Sequence, residues 1–223
     1  MEKGTPDLKE VIADLTSIKE ALSKSGSIFR FIDVGGVLRS ILLISGLLIA
    51  AFSAAFYYLF EHYGSFAAAP SQIKIVIFVL LGLSLSLIGV LKIRNFLQSA
   101  RKISVDMTLY RLLEEVYTPQ FLALVLPHTI AMVLVIIFLS VRGLDLYIVP
   151  ALSLLFGLLS ISLSGVFFMK EVFILGIWLI ATGLFTLFTA EVMHPLAALG
   201  ITFSAGFILM ALFLYYNLPG EKR

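Results

Sequence analysis

Cysteine is absent from this chain of 223 residues, which excludes disulfide bonds, thiolate metal sites and cysteine nucleophiles. Charged residues are also scarce, at 13% of the chain, whereas a soluble domain carries about twice that share. With 60% apolar residues and a mean hydropathy of +1.06, the composition is typical of a membrane protein. The formal net charge of +2 is too small to indicate a nucleic-acid partner.

The sequence motifs of several enzyme classes are missing as well. The chain has no HExxH zinc motif, no nucleotide-binding loop, no nucleophile elbow and no paired aspartates inside an apolar run. We therefore expect a protein that is not an enzyme and that has no cofactor and no metal. The first apolar run begins only beyond residue 30, so the first span is expected to be a retained signal anchor and not a cleavable signal peptide.

Six segments are apolar and long enough to cross a hydrocarbon layer of roughly 30 Å as helices. They lie at Val37–Phe60, Ile73–Leu91, Phe121–Val141, Leu146–Phe168, Val172–Thr189 and Pro195–Tyr216. The short segments of alternating polarity that are typical of a membrane β-barrel do not occur. The sequence thus predicts an all-α polytopic bundle of six transmembrane helices within residues 31–218, with a short tail at 219–223.

Lysine and arginine residues predict how this bundle is oriented. One side receives only Lys74 and Arg142, while Arg39 lies near the other end of the first span. The remaining basic residues fall on the opposite side: Lys3, Lys9, Lys19, Lys24, Arg30, Lys92, Arg94, Arg101, Lys102, Arg111, Lys170, Lys222 and Arg223. Because cytoplasmic loops carry the excess of basic residues, we expect both termini in the cytoplasm and the bundle in the inner (plasma) membrane.

Residues 1–30 carry the pattern of a cytoplasmic amphipathic helix. Thr5 is suited to cap it, and Pro6 fits its first position. One narrow apolar stripe follows heptad spacing along Leu8, Val11, Leu15, Ile18 and Leu22. Three interpretations stay open: docking on the protein's own inner face, a coiled coil with a second copy or another protein, and a helix on the lipid surface.

A second cytoplasmic segment, residues 92–120, follows the second span. Apolar and aromatic residues recur at helical spacing, and Pro119 is interpreted as the stop; the recurring residues are Ile103, Met107, Tyr110, Leu113 and Tyr117. The pattern favours an amphipathic connector whose basic start meets lipid phosphates. The alternative is a helix that binds a partner.

Small residues mark the helix faces by which the last three spans pack. In the fourth span, Ser153, Gly157, Ser160 and Ser164 share one face and allow another helix to approach closely. Further small residues occur in the fifth and sixth spans, namely Gly176, Gly183, Gly200, Ser204 and Ala211. Helix packing is the favoured interpretation, within one bundle or in a homodimer, and the alternative is a hydroxyl-lined path for a solute.

His128 and Thr129 are the candidates for a polar site inside a span. If the third span starts at Phe121, His128 lies about 10 Å inside the inner leaflet. Pro127 has no N–H to donate to the carbonyl of Ala123, so we expect a neutral, buried His128, or Thr129, to satisfy that acceptor. The alternative is a protonatable gate at a kinked helix.

Two polar residues lie at the inner end of the first span. We expect Arg39 to reach toward lipid phosphate, and Asp33 to pair with Arg30 one helical turn away. The alternative assigns Arg39 and Asp33 to a site at the cytoplasmic mouth.

The outer side of the bundle carries a candidate cluster of carboxylates and imidazoles. Glu61 and His62 follow the first span, and Glu191 and His194 precede the sixth. A Glu and a His three residues apart can face one metal ion. Ordinary polar groups at the membrane interface are the favoured interpretation.

Three segments of the chain carry a resemblance to a known group of proteins. SIFRFIDVGGVLRSILLISGLLIA, KIRNFLQSARK and GLLSISLSGVFFMKEVFILGIWLIATGLFTLF resemble uncharacterised bacterial six-span inner-membrane proteins. The last two hairpins are more distantly similar to HdeD-like acid-resistance membrane proteins. Neither resemblance implies a catalytic residue.

The sequence as a whole favours a non-enzymatic scaffold or regulatory subunit that acts through cytoplasmic helices. Its expected partners are the lipid bilayer and, through the N-terminal helix, a second copy or another membrane or cytoplasmic protein. The alternative function is a small transporter or channel for an uncharged, lipid-like or protonatable solute.

Overall fold

A computed structural model describes residues 34–66, 68–101, 108–167 and 169–217 of the chain. Every regular element in these ranges is helical, and six helical segments are long and apolar enough to cross a membrane. The predicted all-α class with six membrane-spanning helices is therefore confirmed. The predicted N-terminal helix, Asp33 and the tail at 219–223 lie outside the described residues.

The described ranges form eight α-helices joined by short connections. They are α1 Val34–Tyr63, α2 Ser71–Arg101, α3 Leu109–Val116, α4 Pro119–Val141, α5 Ile148–Phe167, α6 Lys170–Phe188, α7 Pro195–Leu199 and α8 Gly206–Asn217. A 3₁₀ turn at Asp145–Tyr147 precedes α5, and a π-helical turn at Gly200–Ala205 joins α7 to α8. We refer to residues 195–217 together as the last span.

The second span is longer than the sequence predicts. The prediction ends it at Leu91, whereas α2 continues to Arg101. The stretch KIRNFLQSAR contains no Gly or Pro that would stop a helix, so the backbone ladder continues after the apolar residues end. Residues 92–101 extend α2 by about 15 Å beyond the apolar run.

Four of the spans form the centre of the molecule. Leu42 of α1, Leu179 of α6, and Phe203, Met210 and Leu214 of the last span are buried against one another. The fourth member, α5, packs along the length of α6 in the most extensive helix pair of the described chain. We refer to α1, α5, α6 and the last span as the four-span core.

The other two spans, α2 and α4, lie at the periphery. In the most apolar window of each, only 6% of the residues are buried inside the protein, compared with 39% in the last span. α2 is attached mainly to α1, and α4 mainly to α5. Their apolar side chains therefore face the bilayer on most sides, as expected for helices that are hydrophobic all round.

The connection between α3 and α4 corrects one prediction. Pro119 does not stop the connector helix, because α3 already ends at Val116. The proline is instead the first residue of α4. An N–H at this position has no acceptor within the helix, so proline, which lacks the N–H, costs no hydrogen bond there. The side chain of Thr118 caps this helix by accepting a hydrogen bond from the backbone N–H of Phe121 at 3.2 Å.

Charge divides the two ends of the bundle. Because short loops join most consecutive spans, the start of α1 and the ends of α2 and α8 lie at one end, together with the turn between α5 and α6. Within the described ranges, this basic end carries six cations and three carboxylates, namely Arg39, Lys92, Arg94, Arg101, Arg111, Lys170, Glu114, Glu115 and Glu171. The opposite end carries Glu61, Lys74, Arg142, Asp145 and Glu191.

Candidate functional site

Two hydroxyl groups join helices inside the four-span core. The Ser153 hydroxyl of α5 donates to the carbonyl of Leu179 in α6 at 2.7 Å. The Ser204 hydroxyl of the last span donates to the carbonyl of Gly46 in α1 at 2.8 Å. Both serines are buried, so each bond satisfies a donor that would otherwise be costly to place in an apolar interior.

The single tryptophan connects α6 to the π-helical turn. The indole N–H of Trp178 donates to the carbonyl of Thr202 at 3.1 Å. A Cβ atom on Gly206 would stand 2.6 Å from Cδ1 and 2.7 Å from Nε1 of this ring, so only glycine leaves room for the indole. The π-helical turn is therefore joined directly to α6 through Trp178, and such turns frequently occur at functional sites.

Threonine hydroxyls in the same region bond within their own helices. Thr186 donates to the carbonyl of Thr182 at 2.9 Å, and Thr202 donates to the carbonyl of Ala198 at 2.8 Å. Thr182 likewise donates to the carbonyl of Trp178 at 2.7 Å. Each of these hydroxyls is therefore satisfied by a backbone carbonyl of its own helix.

The small-residue face of α5 lies against α6 within the same chain. Ser153, Gly157, Ser160 and Ser164 are all buried. A Cβ atom on Gly157 would stand 2.8 Å from the carbonyl oxygen of Gly176, and one on Gly176 would stand 2.8 Å from that of Gly157. This close approach uses the face inside the bundle, so a homodimer would need a different surface.

His128 does not bond to the carbonyl that the sequence analysis assigns to it. Its ring Nδ1 donates to the carbonyl of Leu124 at 2.8 Å, one residue along from the expected acceptor, Ala123. Thr129 donates to the carbonyl of Val125 at 2.9 Å. A side chain on a helix reaches the carbonyl four residues earlier, so the residue after Pro127 contacts Leu124. His128 is half-buried and Thr129 is exposed, on a span that few neighbours cover.

The two histidines of the outer-face candidates contact different aromatic rings. His62 stacks on Tyr58 with ring centroids 5.0 Å apart, while His194 meets the edge of Tyr57 at 5.4 Å. His194 also caps the last span, because its Nδ1 accepts from the N–H of Leu196 at 3.2 Å. Glu61 and Glu191 are exposed, and within the described ranges no three His, Asp or Glu residues come together as metal ligands.

Arg39 lies at the basic end beside a cleft between α1 and α8. The guanidinium carbon stands 5.4 Å from the centre of the Tyr215 ring. The cleft has a volume of about 300 Å³, and the residues that line it are Arg39, Ser40, Leu43, Ala211, Leu212 and Tyr215. It combines a cation, a hydroxyl, an aromatic ring and an apolar wall, and it is therefore a candidate binding site.

Comparison of the chain with protein families, curated proteins and solved structures finds no match. The resemblances named above therefore stay expectations.

Sequence reasoning missed the partners of several functional candidates. It singled out Arg39 and Ser204 but not Tyr215 or Gly46, which lie far away in the chain and close in space. The one available signal was tryptophan: a lone indole in an apolar run needs a hydrogen-bond acceptor.

Proposed function

We propose that this integral membrane protein is a non-enzymatic scaffold or regulatory subunit of a bacterial inner membrane, with both termini in the cytoplasm. The four-span core provides a fixed platform, and the helices at its basic end hold a protein partner.

The observation that carries this proposal is the exposed apolar face of α3. Tyr110 is 77% exposed, and Leu113 and Tyr117 are 41% and 49% exposed. Tyr117 follows the last residue of α3, but its backbone N–H still donates to the carbonyl of Leu113 at 2.8 Å. The three residues are three and four positions apart and therefore share one face. An amphipathic helix whose anchors follow this spacing is suited to a hydrophobic groove on another protein.

The charge of α3 favours a protein partner over the lipid surface. Helices that lie on membranes are rich in Lys and Arg on their polar face. α3 has the sequence LYRLLEEV, in which two glutamates outnumber the single arginine. An anionic leaflet would repel these carboxylates, whereas a groove with basic rims would attract them.

Cross-linking in intact cells tests the docking role. A photoreactive amino acid replaces Tyr110 in one variant and Leu87 in a control, since Leu87 is 51% exposed on α2 in the middle of a span. We expect a discrete protein adduct from position 110 and only lipid adducts from position 87. The proposal fails if position 110 yields lipid adducts alone.

A transporter or channel is the second candidate, and the π-helical turn Gly200–Ala205 favours it. Such a turn interrupts the regular helical ladder and frequently occurs at functional sites. Flux into proteoliposomes separates the two functions. Specific, saturable uptake by the purified protein alone would exclude a purely structural role.

A further inference from the structure

We infer that the cleft between α1 and α8 binds one anionic phospholipid, with the phosphate at Arg39 and an acyl chain along the two helices. This inference is independent of the proposed scaffold role, since it rests on the cleft alone.

The position of Arg39 along α1 matches the depth of a lipid headgroup. Arg39 and Tyr57 are separated by eighteen residues in one continuous helix, which corresponds to about 27 Å. The hydrocarbon layer of a bilayer is about 30 Å thick, and tyrosine is enriched at its boundaries. When Tyr57 and Tyr58 lie at one boundary, Arg39 therefore lies at the other, level with phosphate groups.

The polar part of the cleft suits an anion. The Tyr215 ring beneath the guanidinium limits the positions that the Arg39 side chain adopts, so less conformational entropy is lost when a phosphate binds. Ser40, the next residue, contributes a hydroxyl that is able to donate to a second oxygen. No carboxylate is among the described residues that line the cleft.

Exposed leucines follow the cleft toward the middle of the bilayer on both helices. Leu43 and Leu47 lie one helical turn apart on α1, and they are 37% and 53% exposed. On α8, Leu212 and Leu209 lie three residues apart and are 44% and 49% exposed. Between them, Ala211 is buried and small, which leaves room for a hydrocarbon chain.

Charge and shape together favour a lipid over a soluble anion. A volume of about 300 Å³ lies at the lower end of the range for small-molecule sites. The walls deeper in the membrane are leucines, which gain nothing from a free phosphate ion. Basic pockets between transmembrane helices at the cytoplasmic side are suited to acidic headgroups, and the predicted orientation places this cleft on that side.

The opposite end of the bundle supplies a matched control. Arg142 also stands over an aromatic ring, with its guanidinium carbon 5.8 Å from the centre of Phe138. Its side chain is exposed, and Arg142 is not among the residues that line the cleft. Arg142→Gln therefore removes the same charge and the same kind of ring contact without changing the proposed site.

Native mass spectrometry of the full chain in detergent measures the site directly. The protein is mixed with phosphatidylglycerol or phosphatidylcholine of identical acyl chains, and the fraction that retains one lipid is compared. We expect a preference for phosphatidylglycerol that Arg39→Gln lowers about tenfold, the factor expected when a hydrogen bond to a charged group is lost. Arg142→Gln should keep the preference.

Two further arms make the result decisive. Leu43→Trp keeps the charge but fills the cleft, so it should also reduce retention, and it serves as the test if Arg39→Gln does not fold. Inorganic phosphate at millimolar concentration should leave the bound lipid in place. The inference is overturned if folded Arg39→Gln retains phosphatidylglycerol as well as the unsubstituted protein does, if Leu43→Trp has no effect, if Arg142→Gln causes an equal loss, or if phosphate displaces the lipid.

Discussion

The packing of Trp178 depends on the absence of a Cβ atom at Gly206. The indole ring occupies the space that any Cβ on residue 206 would fill, and from there its N–H reaches the carbonyl of Thr202. The sequence alone gives no indication that these two residues meet, because they lie on different spans. Glycines in apolar runs are common, and only the three-dimensional pairing distinguishes this one.

We expect Gly206→Ala to displace the indole and to lower the free energy of unfolding by about 1–3 kcal/mol, the usual cost of overpacking. The chain contains one tryptophan, so intrinsic fluorescence reports on Trp178 alone. Its emission should shift because the bond to Thr202 is broken. Gly200→Ala is the control, since a Cβ on Gly200 meets nothing within 4 Å. Identical spectra for the two variants would contradict the contact.

His128 illustrates the opposite case, a residue whose chemical type attracts attention but whose contacts are local. Its ring bonds to the carbonyl of Leu124, one turn away on the same helix, and no carboxylate of the described ranges contacts it. Because α4 is peripheral, loss of this bond exposes no acceptor deep in the core.

We therefore expect His128→Leu to change the free energy of unfolding by no more than about 1 kcal/mol, the net value of one ordinary hydrogen bond. His128→Gln, which keeps a donor, should behave like the unsubstituted protein. Thermal unfolding in detergent measures both. A gate function would gain support instead if His128→Gln abolished a pH-dependent flux while leaving the fold intact.

At the scale of elements, the hairpin of α5 and α6 is the most closely packed part of the described chain. Gly157 and Gly176 allow the two backbones to approach closely, and the Ser153 hydroxyl donates a hydrogen bond from α5 to α6. Without a hydrophobic driving force between helices in lipid, this closeness supplies the van der Waals contact and the interhelical hydrogen bond that hold them.

Gly157→Leu should separate the two helices and lower the free energy of unfolding by at least about 1–3 kcal/mol. The reason is that even the first added carbon would stand 2.8 Å from a backbone oxygen, which has no rotamer to move into. Gly165→Leu on the same helix is the matched control, because a Cβ on Gly165 meets nothing within 4 Å. Equal stability of both variants, measured by unfolding and by monodispersity in detergent, would count against this interface.

Helical spans were predictable because length and hydropathy are properties of contiguous sequence. The bounds Phe121–Val141 of the third span were predicted correctly, and Pro195–Tyr216 likewise for the last. The continuation of α2 to Arg101 was missed because the hydropathy of a segment indicates where lipid contact ends and not where the helix ends. The role of Pro119 was misjudged for a related reason: a proline that ends one helix pattern is equally suited to begin the next.

For the whole molecule, the sequence analysis did not predict the division into a four-span core and two peripheral spans, although hydropathy carries a signal for it. The most apolar windows of α2 and α4 have mean hydropathies of 2.6 and 2.7. Both values exceed that of the last span, which is 2.2. Hydropathy thus distinguishes α2 and α4 as the two most apolar spans, and the structure shows that they are also the two least buried. Small and hydroxyl-bearing residues lower the hydropathy of the spans that pack most closely.

The orientation of the bundle is the final prediction, and the absence of cysteine makes it directly measurable. Single cysteines at Glu61, Asp145 and Glu191 should react with an impermeant maleimide added to intact cells, because all three are exposed at the end with few basic residues. Cysteines at Lys92 and Lys170 should react only after the membrane is opened, since basic loops stay in the cytoplasm. Gly64 and Gly143 are unsuitable labelling positions: their φ angles of 73° and 68° would strain any cysteine placed there. Labelling of the Lys170 position from outside would reverse the assigned orientation and would place the Arg39 cleft in the outer leaflet.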